Sequence, residues 1–168
     1  MSDNTALFMA ILSLDAYNRG YGPGFDIPNV TINGTQIGTA QFVIPASDPS
    51  TSFYAAEYKL DNGKIVIAYR GTRFPGKPDW GDVSNGWTLS SGYSPASQAQ
   101  EALTFYNQVK AASPSATIIT TGHSLGGGLA AFVADVDHLT AYAYNNIPFG
   151  GAMSDFIPSI RQSGTSAS

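Results

Sequence analysis

The sequence predicts an α/β fold: a mixed, mostly parallel sheet flanked by helices, with a sharp elbow at Ser124. Three observations predict it. Strand-like runs and helix-like stretches follow one another in the order α-β-β-α-β-α-β-α, and such an order builds a sheet covered by helices. The run Lys64-Ile65-Val66-Ile67-Ala68-Tyr69 is nearly all apolar, as in a strand buried on both faces. Finally, Gly122-His123-Ser124-Leu125-Gly126 stands between a short β-branched run at 116–121 and a helical pattern with Leu125, Leu129, Phe132 and Val133 at spacings of three and four. Strand, turn and helix in direct succession are the setting in which Gly-x-Ser-x-Gly leaves a serine hydroxyl exposed at the tip of an elbow. The two glycines have a steric task there, because a Cβ at either would collide with the neighbouring strand or helix.

The elements follow in order. Residues 5–18 read as an amphipathic helix with Leu7, Phe8, Ile11, Leu12 and Leu14 towards one side, closed by Asn18-Arg19-Gly20. Residues 21–51 read as turns with two strand-like pieces, 29–32 and 40–44, and serve as scaffold. Residues 52–60 and 64–70 form a hairpin around Asp61-Asn62-Gly63, where Gly63 takes the positive φ of a tight turn. A Gly-, Pro- and Trp-rich segment, 74–93, leads to a second amphipathic helix, 97–112, with Ala99, Ala102, Leu103, Tyr106 and Val109 on one face. The elbow strand and helix come next, then a strand at 139–144, a turn at 145–151, a short polar helix near 153–162 and a polar tail.

Composition narrows the function classes. With 43% hydrophobic and 12% aromatic residues over a length of 168, the sequence reads as one globular domain. A net charge of −4 supplies no basic patch, which argues against nucleic acid as a partner. The absence of cysteine removes disulfides, thiolate metal sites and cysteine nucleophiles together, and nothing suggests a cofactor of any kind. No apolar run is long enough for a transmembrane segment, and no cleavable signal peptide is visible, so the compartment stays open. Asn29-Val30-Thr31 and Asn33-Gly34-Thr35 are glycosylation sequons, meaningful only on a secretory route.

Two motifs at their mutual distance, Tyr69-Arg70-Gly71-Thr72 and Thr121-Gly122-His123-Ser124-Leu125-Gly126-Gly127, resemble those of the class 3 (fungal-type) lipases of the α/β-hydrolase superfamily. Pro78-Asp79-Trp80-Gly81-Asp82 sits where that family carries its lid segment, and the resemblance covers residues 53–151. It implies a partial α/β-hydrolase core and a serine ester hydrolase acting on triacylglycerol or other lipid esters through an acyl-serine intermediate, with lipid-interface contact. It makes Ser124 the nucleophile, and the Leu125 backbone N–H one oxyanion-hole donor. Thr72 becomes the other donor, through its N–H and hydroxyl. Phe74, Trp80, Trp87 and Tyr93 would line the lid or acyl-binding wall.

A serine hydrolase also needs a base and a carboxylate to orient it, in this superfamily in the order Ser, acid, His. Downstream of Ser124 the sequence holds a single histidine, His138, which an intervening helix carries about 21 Å away. His123 is expected to pack or hydrogen-bond behind the serine. Asp155 falls one strand too early for the acid. The expectation is therefore a single lipase-like domain over 1–168, C-terminally truncated, with acid and base encoded beyond Ser168. Two alternatives stay open: an inactive lipase-like binding module, and a serine hydrolase of other specificity such as a thioesterase or peptidase.

Overall fold

A computed structural model describes residues 3–20, 22–25, 27–70 and 95–144. The first helix, α1 (Asp3–Arg19), leads through a 3₁₀ turn to a small hairpin of β1 (Val30–Ile32) and β2 (Thr35–Gly38). Then come β3 (Ala40–Asp48), β4 (Phe53–Leu60), β5 (Ile65–Arg70), α2 (Pro95–Ala112), β6 (Ile118–His123), α3 (Leu125–Asp137) and β7 (Thr140–Tyr144). Among the described residues the main sheet has the order β3-β4-β5-β6-β7. The β3/β4 and β4/β5 pairings are antiparallel, β5/β6 and β6/β7 parallel. Thr72, the 74–93 segment, the 145–151 turn, the 153–162 helix and Asp155 lie outside the described residues.

Helices cover both faces of this sheet. On one, Phe53, Ala55, Ile65, Ile67 and Tyr69 pack with Ala99, Ala102, Leu103, Tyr106 and Val109 of α2 and with Leu129, Ala130 and Val133 of α3. On the other, Tyr54, Ala56, Tyr58, Val66, Ala68 and Ile119 pack under Phe8, Met9, Leu12 and Ala16 of α1. All six residues of β5 are buried, as the unbroken apolar run requires of a strand with a helical layer on each face. The α2 face matches the sequence reading residue by residue. In α1 the buried stripe is rotated, so that Leu7 and Leu14 are exposed and Met9 and Ala16 are buried instead. With apolar residues on nearly every side of that helix, periodicity alone does not choose the face.

Gly63, at φ 82, closes the β4–β5 hairpin, with Gly63 N–H donating to Leu60 O at 3.0 Å. The 21–51 stretch is more ordered than its composition suggests. Asn33 (φ 50) and Gly34 (φ 78) form a two-residue turn between β1 and β2, the positive-φ pair that a primed hairpin turn demands. β3 is the outermost strand of the main sheet, is interrupted by a register shift between Phe42 and Pro45, and carries Pro45. Both devices discourage further strand pairing at an edge.

Polar ties fix the layers. Thr120 and Thr121 are wholly buried, and because strand neighbours face opposite ways their hydroxyls reach opposite layers. Thr120 Oγ1 donates to Ala130 O of α3 at 2.8 Å, and Thr121 Oγ1 lies 3.1 Å from Met9 O of α1. Asp15 of α1 is the centre of a second tie. Its buried carboxylate accepts from Arg19 Nε at 2.6 Å, from Tyr58 Oη at 2.6 Å and from Phe25 N–H, while the Arg19 guanidinium stacks 4.4 Å over the Phe42 ring. Burial, followed by the adjacent carboxylate, pushes the Tyr58 hydroxyl far above its ordinary pKa, so it remains a donor at any working pH. Asp15→Ala leaves the buried Tyr58 hydroxyl and the Phe25 N–H without their acceptor, while Arg19, whose side chain is 23% exposed, can turn to solvent. It is therefore expected to cost about 2–4 kcal/mol, and Tyr58→Phe about 1–3 kcal/mol, read as urea unfolding midpoints. Equal, small losses in both would remove Asp15 from the centre of this network.

Candidate active site

β6 ends at His123 and α3 begins at Leu125, so Ser124 is the single residue between strand and helix. Its backbone sits at φ 57, ψ −122, a sparsely populated region that costs a non-glycine residue roughly 1–3 kcal/mol and persists only where its surroundings impose it. Those surroundings are visible. Ser124 N–H donates to Tyr144 O at 2.9 Å, and Gly128 N–H donates to Ser124 O at 3.2 Å. The β7 end and the first turn of α3 thus hold the residue from two sides. Serine at a helix start normally caps it with its own hydroxyl. Ser124 makes no such side-chain hydrogen bond, and the residue is half-buried.

The flanking glycines do what the motif requires. A Cβ on Gly122 would fall 2.2 Å from Gly126 O, in the first turn of α3. A Cβ on Gly126 would fall 2.1 Å from Tyr69 O, at the end of β5. The helix can therefore start directly against both strands. Leu125 has its side chain buried, and its backbone N–H belongs to the first turn of α3, where helical N–H groups lack intrahelical acceptors and the helix dipole favours negative charge. The elbow also lies at the C-terminal ends of parallel strands, where open α/β sheets place their sites.

The other sequence candidates separate from this point. His123 is exposed at the end of β6, so the expectation that it packs behind the serine is not met; as the last strand residue it precedes the turn that redirects the chain. His138 ends α3 in the left-handed conformation, φ 55 and ψ 44, and the 13-residue helix between it and Ser124 spans about 20 Å. It lines a cavity of about 280 Å³ with Ile118 and Thr140, the first residues of β6 and β7. That cavity lies at the opposite edge of the sheet from Ser124.

Beside His138, Asp137 accepts from Lys110 Nζ at 2.6 Å and from the Tyr106 hydroxyl. Burial opposes ionisation of Asp137, but the Lys110 and Tyr106 hydrogen bonds outweigh it and hold the carboxyl below its usual range. A depressed carboxylate pKa stabilises the fold above the unfolded value, and that contribution is lost as pH falls through the folded value. The pair is partly solvent-exposed and screened. Asp137→Asn should therefore cost under about 1 kcal/mol at neutral pH and flatten the loss of stability below about pH 4, read from thermal melts across pH.

Sequence reasoning missed Asp15 and the part played by Gly20, which lies against Arg70 of β5: a Cβ there would fall 1.7 Å from Arg70 Nη1. Neither has a local signature, since their partners are distant in the chain. Among the described residues no helix is long and apolar enough to cross a membrane.

A mixed sheet between helical layers, with a strained Gly-x-Ser-x-Gly elbow at its C-terminal edge, defines an α/β-hydrolase fold of the class 3 lipase kind. Solved structures share it. A lipase from Rhizopus microsporus var. chinensis superposes with a TM-score of 0.56 at 18% identity, over 94% of this chain and 62% of that one. A fungal lipase–inhibitor complex gives 0.58 at 17%, over 94% and 67%. A triacylglycerol lipase from Penicillium expansum gives 0.53 at 19%, over 95% and 68%. Residues 8–168 match the Tle-like phospholipase domain, and the chain belongs to that family. It is also 32% identical over 139 residues to an extracellular phospholipase A1 of Serratia liquefaciens, a match that takes in 82% of this chain and 40% of that protein.

Proposed function

We propose that these residues carry the nucleophilic centre of a serine-dependent lipid ester hydrolase, acting on acyl esters of phospholipids. The observation that carries the reading is the backbone of Ser124, a non-glycine residue forced to φ 57 with its hydroxyl uncommitted to capping the helix it begins. The phospholipid class is supported by the family and by the name of the Serratia liquefaciens relative.

In this reading Ser124 Oγ attacks the ester carbonyl carbon while its proton passes to a general base. The resulting oxyanion is met by the Leu125 N–H and by Thr72. Thr72 follows Arg70 by two residues in sequence, and Arg70 ends the strand against which Gly126 packs. Fixed donors aimed at a developing oxyanion are each worth roughly 2.7–4 kcal/mol of barrier. Collapse breaks the bond to the alcohol, which leaves with the proton. Water, deprotonated by the same base, then cleaves the acyl-serine and releases the fatty acid.

The base itself we assign to neither histidine of the chain. His138 stands at the far edge of the sheet, and His123 adjoins the nucleophile in sequence on the strand side. Acid and base are read as coming from outside these 168 residues. The test is fluorophosphonate labelling of the natural protein that carries them. Labelling at Ser124, with release of fatty acid from phosphatidylcholine vesicles, is expected. A protein whose Ser124 stays unlabelled is the inactive binding module instead, and labelling with turnover of thioesters or amides alone reassigns the substrate.

A further inference from the structure

The Tyr69-Arg70-Gly71-Thr72 motif contains a charged residue to which ester hydrolysis, as described, gives no part. Arg70 ends β5 and is 8% exposed. A cation taken out of water is costly unless its surroundings compensate, and this one is gripped on several sides. Its Nη2 donates to Ser52 O at 3.2 Å. Its guanidinium lies 5.0 Å over the Tyr54 ring, a favourable position for a cation against an aromatic face. Its Nη1 abuts the backbone of Gly20, just past the end of α1, so closely that a Cβ there would be 1.7 Å away.

Each of these contacts leads to another element. Thr51, next to Ser52, is held to α2 by Gln98 Nε2, which donates to Thr51 O at 2.6 Å. Gly20 follows α1, and Tyr54 belongs to β4. The backbone of Arg70 meets the elbow: a Cβ on Gly126 would fall 3.0 Å from Arg70 C, as well as against Tyr69 O. The guanidinium therefore joins α1, β4 and the turn before β4 to a strand end whose main chain touches the helix that follows Ser124.

We infer that Arg70 is a positioning residue for the Ser124 elbow: its buried guanidinium fixes the end of β5, the backbone against which Gly126 packs and α3 begins. The inference rests on the reading of Ser124 as nucleophile given above. Arginine suits the task because one rigid planar fork spans three directions at once, which the single ammonium of lysine does not. Gly20 is part of the same device. Its φ lies outside the left-handed region, so alanine is compatible with its backbone and acts on the elbow by displacing the guanidinium.

The experiment uses the natural protein and reads the second-order rate of fluorophosphonate labelling at Ser124 for wild type, Arg70→Lys, Gly20→Ala and Ser124→Ala. Amide hydrogen exchange is followed in the same proteins. Arg70→Lys and Gly20→Ala should slow labelling on the order of 10- to 100-fold, the effect of misplacing a reacting centre by about 1 Å. Exchange should quicken at Tyr69, Arg70 and Leu125 and stay at wild-type rates at Ile119 and Thr120 in the middle of β6. Gly20→Ala covers the case in which Arg70→Lys does not fold. Labelling at the wild-type rate in either folded variant overturns the inference. So does exchange that quickens equally throughout the sheet, which would make Arg70 a general stabiliser. A wild-type protein that labels no better than Ser124→Ala overturns the reading of the site itself.

Discussion

Replacing Ser124 with alanine is expected to abolish acyl-enzyme formation and to leave the fold intact or slightly more stable. The two halves of that expectation have different causes. Chemistry is lost because, in the proposed reading, the Ser124 hydroxyl is itself the nucleophile, placed where the helix start and the β5 end converge. Stability is spared because Ser124 makes no capping hydrogen bond for its side chain to lose, and the strained backbone is imposed by its neighbours rather than by the residue. The 168-residue chain alone is expected to hydrolyse p-nitrophenyl butyrate far below the usual 1–10³ s⁻¹ of enzymes. Without a base a serine hydroxyl is a poor nucleophile at neutral pH. An oxyanion hole and binding alone leave roughly 10³–10⁴-fold acceleration over water in a worked protease case. Turnover within the usual range that vanishes in Ser124→Ala would put a base inside these residues, and the assignments of His123 and His138 would fall.

Gly126→Ala should be among the most damaging single methyl groups in the described part of the chain. The added carbon would sit 2.1 Å from Tyr69 O, 2.8 Å from Tyr69 C and 3.0 Å from Arg70 C. All three are main-chain atoms of a strand buried on both faces, so no rotamer change relieves the clash. Either α3 lifts from the sheet or β5 shifts, and both disturb a core shared by α2 and α3. A loss of about 3 kcal/mol or more is expected, at the upper end of overpacking effects, together with loss of Ser124 labelling. Gly22→Ala is the matched control, since nothing lies within 4 Å of a Cβ there. Near-equal urea midpoints for the two variants would show that the elbow is looser than its geometry implies.

These two predictions draw on what was most legible in the sequence. The elbow, the double burial of β5, the Gly63 turn and the apolar face of α2 each announce themselves within a window of a few residues, through periodicity or a backbone that glycine alone tolerates. Asn33-Gly34 carries the same kind of signal for a hairpin turn. Read only as part of a sequon, it leaves β2 unseen. The face of α1 was harder, because its surplus of apolar residues fits more than one rotation. Least legible were the ties between distant segments. Asp15 meets Tyr58 across 43 positions of sequence, and Thr121 meets Met9 across 112. No spacing rule links such pairs, which become visible once the sheet order is known. For the candidate site, the elbow position of Ser124 was legible as a motif, whereas the role inferred for Arg70 needed the packing of Gly20 and Gly126 around it.

The sheet order has a consequence for how the molecule comes into being. Strands β3, β4 and β5 are joined by short connections and pair antiparallel, so this meander can zip up through local contacts as soon as the chain is made. The β5/β6 pairing closes a much longer loop, with α2 inside it, and must wait for that entropy to be met. Yet Ser124 takes its conformation from partners gathered only then: β6 behind it, Gly126 against the β5 end, and the Tyr144 carbonyl of β7, the last of the described strands in chain order. The elbow is thus assembled late in folding. A nascent chain that still lacks β7 carries Ser124 without the Tyr144 hydrogen bond that helps hold its backbone at φ 57, and the strained turn waits on the strand made after it.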